Sequence, residues 1–168
     1  MTTIHTAPAL TADRLRTVLG HFATGVTIVT AHGGDGPIGM AANSFTSVSL
    51  DPPLILLCPG RSSSTWPAIR DAGRFCINIM GRENAAVTKR FSQKGLDRFA
   101  DIGWIDRPTG PALESAMAWV ECAVRDEHDA GDHTIVVADV LDVGVSEVVD
   151  PLVFFRGKYG TFDASQEK

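Results

Sequence analysis

Two groups of small hydroxyl and amide side chains flank one apolar run near the middle of the chain. Asn43 to Ser49 precede the run, Leu54 to Cys58 form it, and Ser62 to Thr65 follow it. The run has the length and composition of a buried strand. Small polar residues at both ends of such a strand direct backbone N–H groups and hydroxyls into one shared cavity. This arrangement suits a phosphate-bearing ligand.

The second polar group lies in a loop that leads into a predicted helix. The loop Pro59 to Trp66 carries four consecutive hydroxyl residues and one cation, Arg61. Hydroxyls and free N–H groups at a helix start are a plausible pyrophosphate cradle. Serine clusters are also common in solvated turns, so composition alone leaves both interpretations open. In the first group, the small side chains of Gly39 to Thr46 let a ligand ring approach the backbone.

Two further segments carry side chains that suit chemistry. Gly131-Asp132-His133 lies at a predicted hairpin tip, and Arg156-Gly157-Lys158-Tyr159 follows the last predicted strand. A histidine at a hairpin tip is often only a surface residue, and the second segment is equally consistent with a solvated strand end. His128 and His133 with the neighbouring aspartates offer metal ligands, but their spacing matches no common metal site.

Several functional classes are excluded by the motifs that the chain lacks. There is no P-loop, no G-x-G-x-x-G between a strand and a helix, no H-E-x-x-H zinc motif and no G-x-S-x-G nucleophile elbow. The formal net charge of -5, with no Lys/Arg run, removes the attraction on which nucleic-acid binding relies. We expect neither a nucleic-acid partner nor a metal.

Length and composition predict one domain in a reducing compartment. The 168 residues are 44% hydrophobic and 21% charged, which is typical of a single globular domain. No apolar run is long enough to span a membrane, and the first ten residues do not resemble a signal peptide. Cys58, Cys76 and Cys122 are an odd number without C-x-x-C spacing, so we expect free buried thiols. These features predict a cytoplasmic protein of one domain, 1–168, in which residues 1–10 form a flexible arm.

Three helices are predicted. Thr11 can cap the first, whose apolar stripe we expect to pack on the core: Leu15, Val18, Leu19 and Phe22. Ser64 or Thr65 caps a second, with Trp66 and Ile69 facing inward. The third runs from Asn84 to Phe91.

β-Strands account for most of the remainder. Asp51-Pro52-Pro53 interrupts a ladder because proline cannot donate a hydrogen bond, and 92–117 reads as a long surface connection because glycine and proline break every period. In the strand from Ala118 to Asp126, Glu121 is expected on the solvent face. Short turns and the lack of βαβ alternation favour a closed antiparallel barrel with few helices. The predicted strands are Val26–Thr30, Leu54–Cys58, Phe75–Ile79, Ala118–Asp126, Thr134–Val143 and Leu152–Phe155.

Taken together, these segments resemble the flavin reductases of two-component monooxygenases, in the flavin-reductase-like split-barrel family. The similarity runs from about Leu15 to Phe162. Its marks are the segments 22–30, 39–53, 63–66, 74–78, 131–133 and 151–159. The resemblance implies a mainly β fold: an antiparallel split β-barrel of Greek-key type with a few short flanking helices.

The resemblance also implies an activity. Such a chain would be an NAD(P)H:flavin oxidoreductase that reduces FAD or FMN by hydride transfer and releases it to a partner monooxygenase. NADH or NADPH would donate the hydride, and the absence of an arginine cluster for a 2′-phosphate leans toward NADH. Members are usually homodimers, and no membrane partner is expected. The alternatives are a non-catalytic flavin-binding split barrel, a pyridoxamine-phosphate-oxidase-like enzyme and a haem-handling relative.

The resemblance assigns roles to residues as well. His133 would be the catalytic residue, placed where the nicotinamide stacks on the flavin. The residues that would bind the cofactor are Gly39, Met40, Ala41, Ala42, Asn43, Ser44 and Phe45 at the ring and ribityl chain; Pro59, Gly60, Arg61, Ser62, Ser63, Ser64, Thr65 and Trp66 at the phosphate, with Arg90 and Phe91 nearby; and Arg156, Gly157 and Tyr159 on the remaining side.

Overall fold

A computed structural model describes residues 9–146 and 150–162 of the chain. The predicted arm therefore lies almost entirely outside the described residues. The helices are α1 (Ala12–Leu19), α2 (Trp66–Ala72) and α3 (Ala85–Phe91), and a 3₁₀ turn spans Arg82–Asn84. The strands are β1 (Thr24–Gly25), β2 (Thr27–Gly33), β3 (Gly36–Ala42), β4 (Thr46–Leu50), β5 (Pro53–Leu57), β6 (Arg74–Met80), β7 (Trp104–Ile105), β8 (Ala112–Leu113), β9 (Ala116–Ala130), β10 (His133–Val145), β11 (Leu152–Phe155) and β12 (Lys158–Thr161).

Seven strands form one antiparallel sheet in the order β3-β2-β6-β9-β10-β5-β4. Its two edge strands, β3 and β4, are joined by only three residues, 43–45. That connection reaches roughly 14 Å at most, whereas the edges of a flat seven-stranded sheet lie about 29 Å apart. The sheet therefore has to curl until its edges approach. No ladder between β3 and β4 occurs among the described residues, so the barrel is split there. The predicted mainly β fold is confirmed.

Every predicted strand forms, most of them one or two residues longer than its apolar pattern. The two predicted hairpins are confirmed as well, with two-residue turns at 34–35 and 131–132. Asp51 and Pro52 end β4 as expected, but the flanking strands then pair with each other, and Leu50 lies opposite Pro53. The prolines therefore close a hairpin, because the missing N–H of a proline is tolerated at a turn.

The main core lies inside the curled sheet and collects side chains from β2, β5, β6, β9 and β10. Helix α2 closes this core, with Trp66 and Ile69 buried as predicted. Its cap differs from the expectation. Thr65 occupies the N-cap position without a side-chain hydrogen bond, and Ser63 Oγ instead accepts the N–H of Trp66 at 3.1 Å. The loop before α2 therefore turns back on itself and presents Ser64 and Thr65 elsewhere.

A second core covers the outer face of β2 and β6 and includes Ile28, Met80 and Phe91. Helix α3 forms over the predicted residues. The expectation of a surface connection over 92–117 is wrong for its second half, since residues 109–113 are buried and β8 forms there. Glycine and proline break helical and strand periods, but they do not prevent burial when side chains satisfy the backbone.

Asn78 supplies that satisfaction. Its side chain is fully buried, and Nδ2 donates to the carbonyl oxygens of Ile28 and Pro111 at 3.1 and 3.3 Å. Oδ1 accepts the backbone N–H of Leu113 at 2.7 Å. One amide thus ties the 109–113 segment to the barrel wall.

Helix α1 forms where predicted, and Thr11 Oγ1 accepts the N–H of Arg14 at 3.3 Å. The expectation that its apolar stripe packs on the core is wrong. Val18, Leu19 and Phe22 are 62%, 61% and 76% exposed. Both cores are already filled by the sheet, α2 and α3, so within one chain the stripe has nothing to cover.

Strand β9 also departs from its alternation. Val120 and Cys122 are buried as expected, but Glu121 is buried too, with 4% exposure. Its carboxylate accepts from Thr109 Oγ1 at 3.1 Å and lies 3.6 Å from the guanidinium of Arg107. The connection that folds over this face supplies both partners, which explains how a carboxylate remains there.

The three cysteines are free, and Cys76 and Cys122 are fully buried. Burial raises the pKa of each of these two thiols to about 12, and the charge of Glu121 adds to the shift. Burial also raises the pKa of Cys58. The thiols therefore stay protonated at neutral pH and are poor nucleophiles.

We expect Asn78→Ala to lower the free energy of unfolding by about 2–4 kcal/mol, because it strands the buried N–H of Leu113 and two carbonyls. Urea unfolding followed by circular dichroism measures the change. Ser47→Ala, at an exposed position of β4, is the control and should change stability by less than about 0.5 kcal/mol. Equal stability of the two variants would show that the amide does not hold the outer segment.

Candidate functional site

The hydroxyl-rich loop lies against the tip of the β9–β10 hairpin. The backbone N–H of Arg61 donates to the carbonyl of Asp132 at 2.9 Å, and Gly60 pairs with His133 in an isolated antiparallel bridge. A Cβ at Gly60 would lie 3.7 Å from Nε2 of His133. Residues 59–61 and 131–133, which the sequence analysis singled out separately, are therefore neighbours.

His133 is held by its own neighbour. Its Nδ1 lies 2.7 Å from Oδ1 of Asp132, and its side chain is 49% exposed. The hydrogen bond to His133, followed by the charge of that ring, holds the pKa of Asp132 below its usual value, and the cation of Arg16 contributes. Since the carboxylate is ionised at neutral pH, it favours a proton on Nδ1. The free Nε2 then faces the surface beside Gly60.

The predicted ring wall, 39–45, borders the same loop. Ser44 Oγ accepts the backbone N–H of Cys58 at 2.8 Å, just before the loop begins. Ser63 Oγ lies 3.7 Å from the sulfur of Met40. These two contacts place the end of β3 beside the start of α2. The structure thus brings together three of the four predicted segments around this loop.

Gly39 is small for a reason that the sequence analysis did not anticipate. A Cβ there would lie 2.7 Å from the ring of Phe91 and 3.0 Å from the carbonyl of Val29. Phe91 is 1% exposed and packs edge-on against Phe99 at 5.1 Å between centroids. Packing by a buried aromatic, rather than the approach of a ligand, therefore requires the glycine.

The fourth segment divides between two places. Tyr159 lines a cavity of about 270 Å³ together with small residues of β3. Arg156 and Gly157 instead form the β11–β12 turn, with φ of 49° and 76°. The N–H of Arg156 donates to the carbonyl of Gly20 at 2.9 Å, which ties this turn to the end of α1.

The cavity at Tyr159 fits a planar ligand with an apolar face. Its walls combine two alanines with two aromatic rings and a few polar groups, and small side chains leave the backbone accessible there. Ala42 offers no side-chain donor, so contacts at that position come from the backbone. The lining residues are Val26, Ala41, Ala42, Asn43, Ser92, Phe154 and Tyr159.

The two cations predicted near the phosphate loop have protein partners. Arg61 forms an ion pair of 2.9 Å with Asp129. Arg90 donates a hydrogen bond to the carbonyl of Ala100. Both side chains are therefore already engaged by groups of the protein.

Sequence reasoning missed the cation that does reach the loop. Arg98 Nη1 donates to the carbonyl of Gly39 at 2.6 Å and to Thr65 Oγ1 at 2.8 Å. It thereby links the predicted ring wall to the predicted phosphate loop. Arg98 lies in the segment interpreted as a surface connection, and no periodicity or motif around it signals contact with either wall.

The metal interpretation gains no support from the geometry. Among residues 9–146 and 150–162, no group of three or more His, Cys, Asp or Glu side chains is arranged to hold an ion. The two aspartates considered as ligands are otherwise engaged, Asp129 by Arg61 and Asp132 by His133.

We expect Gly39→Ala to lower the free energy of unfolding by about 1–3 kcal/mol, because the added methyl collides with a buried ring that cannot withdraw. Thermal unfolding measures the loss. Gly34→Ala, where a Cβ meets nothing within 4 Å, is the matched control and should be close to neutral. If Gly39→Ala were as stable as Gly34→Ala, the packing explanation would be wrong.

Residues 19–163 match the family model for the flavin reductase like domain. A reductase subunit of a flavin-dependent monooxygenase, HsaB of Rhodococcus jostii, is 40% identical over 154 residues, covering 91% of this chain and 79% of the relative. An FMN reductase (NADH), SmoA of Agrobacterium fabrum, is 45% identical over 148 residues, covering 88% and 84%.

The fold is shared with solved structures of the same kind. The NADH:FAD oxidoreductase SgcE6 of Streptomyces globisporus, crystallised with NAD and FAD fragments, superposes with a TM-score of 0.86 at 32% identity. The match covers 92% of this chain and 94% of that one.

Proposed function

The chain belongs to the flavin reductase like family, and we propose that it is an NAD(P)H:flavin oxidoreductase that reduces FAD or FMN and supplies the reduced flavin to a partner monooxygenase. One observation of the site carries the proposal most directly: the polar loop 59–66 lies against both the small-residue wall 39–45 and His133. A flavin needs a surface for its ring, donors for its phosphate and a place for the hydride donor, and these three segments offer one each.

In this proposal the segments divide the ligand between them. Residues 39–45 with Phe91 form the wall at the ring and ribityl chain, and residues 59–66 form the phosphate side. Tyr159 borders the ring wall through the shared cavity. Arg156 and Gly157 act less directly, by fixing the β11–β12 turn against α1.

When both are bound, the reduced nicotinamide supplies a hydride to the flavin ring, and that chemistry belongs to the two ligands. The protein aligns them and supports the charge that develops. His133 suits this role because the ionised Asp132 fixes its tautomer and leaves Nε2 available beside the loop. It is a positioning and electrostatic residue, and no protein nucleophile is needed.

The names of relatives support the choice of ligands and partner. The Agrobacterium relative is an NADH-dependent FMN reductase, and the Rhodococcus relative is a reductase subunit of a monooxygenase. We extend both features to this chain, with NADH as the preferred donor. The missing Rossmann fingerprint fits a nicotinamide held in a groove beside the flavin rather than in a domain of its own.

We also propose a single domain that works in the cytoplasm. The seven-stranded sheet and its two cores include elements from β2 to β11, which supports one folding unit. Free buried thiols suit a reducing compartment. The longest helix in the described ranges has eight residues, far too few to cross a bilayer.

We propose that the protein is a homodimer, because one chain leaves large apolar side chains uncovered. The stripe of α1 is exposed, and so are Leu50 at 90% and Val145 at 85%. A symmetric dimer is the commonest way to cover such surface.

Light scattering should therefore give about twice the chain mass of 17.9 kDa. Val18→Asp on α1 should raise the monomer fraction, since it places a charge in the uncovered stripe. Ala86→Asp, the same kind of change on an exposed position of α3, should leave the mass unchanged. A wild-type monomer at micromolar concentration would rule out the dimer.

Replacing His133 by alanine should slow NADH-dependent flavin reduction by about 10²-fold or weaken NADH binding, while the affinity for oxidised flavin stays nearly unchanged. Steady-state NADH oxidation with free flavin and flavin fluorescence titration measure the two quantities. The histidine is expected to act on the hydride donor, whereas the walls that hold flavin remain.

His32→Ala provides the control, because His32 lies at the β2–β3 hairpin and bonds the carbonyl of Arg107. It should keep wild-type kinetics. Unchanged kinetics in His133→Ala would remove the role assigned to that residue. Wild-type protein that binds flavin without oxidising NADH or NADPH would instead be the non-catalytic flavin-binding alternative.

A further inference from the structure

Arg98 is held in one orientation by neutral groups. Beyond its bonds to the carbonyl of Gly39 and the hydroxyl of Thr65, Nε and Nη2 both donate to the carbonyl of Gln93, at 2.9 and 2.6 Å. A guanidinium has five N–H groups. The four bonds that hold Arg98 leave a further donor on Nη2.

The charge of this guanidinium has no anionic partner in the described ranges, where every ion pair involves other residues. Asp97, its neighbour, points one carboxylate oxygen at the backbone N–H of Phe99, 3.0 Å away. Partial burial lowers the pKa of Arg98, although an arginine stays charged throughout the working range of proteins. A partly desolvated cation bonded only to neutral oxygens attracts an anion from outside the chain.

The space beside Arg98 suits such an anion. A cavity of about 350 Å³ is bordered by Ser64 and Thr65 of the hydroxyl loop as well as by Arg98 and Gly39. Hydroxyls and a forked guanidinium are the groups that bind phosphate oxygens best. The other arginines near the loop are engaged elsewhere, Arg61 by Asp129 and Arg90 by the carbonyl of Ala100.

We propose that Arg98, with Ser64 and Thr65, forms the subsite for the phosphate attached to the ribityl chain of the flavin. The inference rests on the proposed function and deepens it, since it names the cation that recognises the ligand. Arg98 binds the phosphate and at the same time fixes the distance between the two walls, through Gly39 and Thr65.

Comparison of FMN with riboflavin, which lacks the phosphate, tests the subsite directly. Dissociation constants come from quenching of flavin fluorescence, without any turnover. Wild-type protein should bind FMN more tightly than riboflavin. Arg98→Gln should weaken FMN binding by about 10- to 100-fold and riboflavin binding by less than threefold, because only FMN loses a charge-assisted hydrogen bond.

Two further variants sharpen the result. Arg98→Lys keeps the charge but loses the fork, so its loss for FMN should be intermediate, and it serves if Arg98→Gln folds poorly. Arg74→Gln, at an exposed start of β6, removes a cation elsewhere and should bind both flavins as wild type does. The KM for NADH should be unchanged in all three variants.

Equal weakening of FMN and riboflavin in Arg98→Gln would overturn the proposal, because it would mean that Arg98 only holds the walls. Equal affinity of wild-type protein for the two flavins would overturn it too. A raised KM for NADH with an unchanged FMN-to-riboflavin ratio would do the same, by assigning the phosphate to the nicotinamide donor. The predicted FMN discrimination without any NAD(P)H oxidation would instead support the subsite while the reductase proposal failed.

Discussion

The three residues 43–45 impose the constraint on which the rest of the structure depends. They join the two edge strands of a seven-stranded sheet, so the sheet has to curl and enclose its core. The same short connection brings the end of β3 beside the end of β5, where Ser44 Oγ accepts the N–H of Cys58. The geometry that closes the barrel therefore also forms the corner in which the candidate site lies.

A second layer is fixed to this barrel by buried polar groups rather than by apolar contact alone. Asn78 ties the 109–113 segment to β2 and β6, and Arg98 ties the end of β3 to the loop before α2. Such groups are directional, so they determine where an irregular segment lies as well as whether it is buried. The two walls assigned to the flavin owe their relative position to bonds of this kind.

Charge is distributed around the site in small, partnered units. Asp132 orients His133, and Asp129 engages Arg61 on the loop that follows β5. Arg98 stands apart from this pattern because its partners are neutral. In a protein with a net charge of -5, an uncompensated cation at the polar loop gives an anionic ligand one favourable place to bind.

The sequence by itself determined the strands, the hairpins, the helices and the identity of the polar loop, because these depend on residue periodicity, turn residues and caps that act over a few positions. Its resemblance to a reductase family also indicated the activity. Only the tertiary structure decided that the stripe of α1 stays uncovered and that Glu121 is buried. Only the tertiary structure placed Arg98 between Gly39 and Thr65. These outcomes depend on contacts between residues far apart in the chain, where one segment satisfies or covers another, and no local pattern encodes such a pairing.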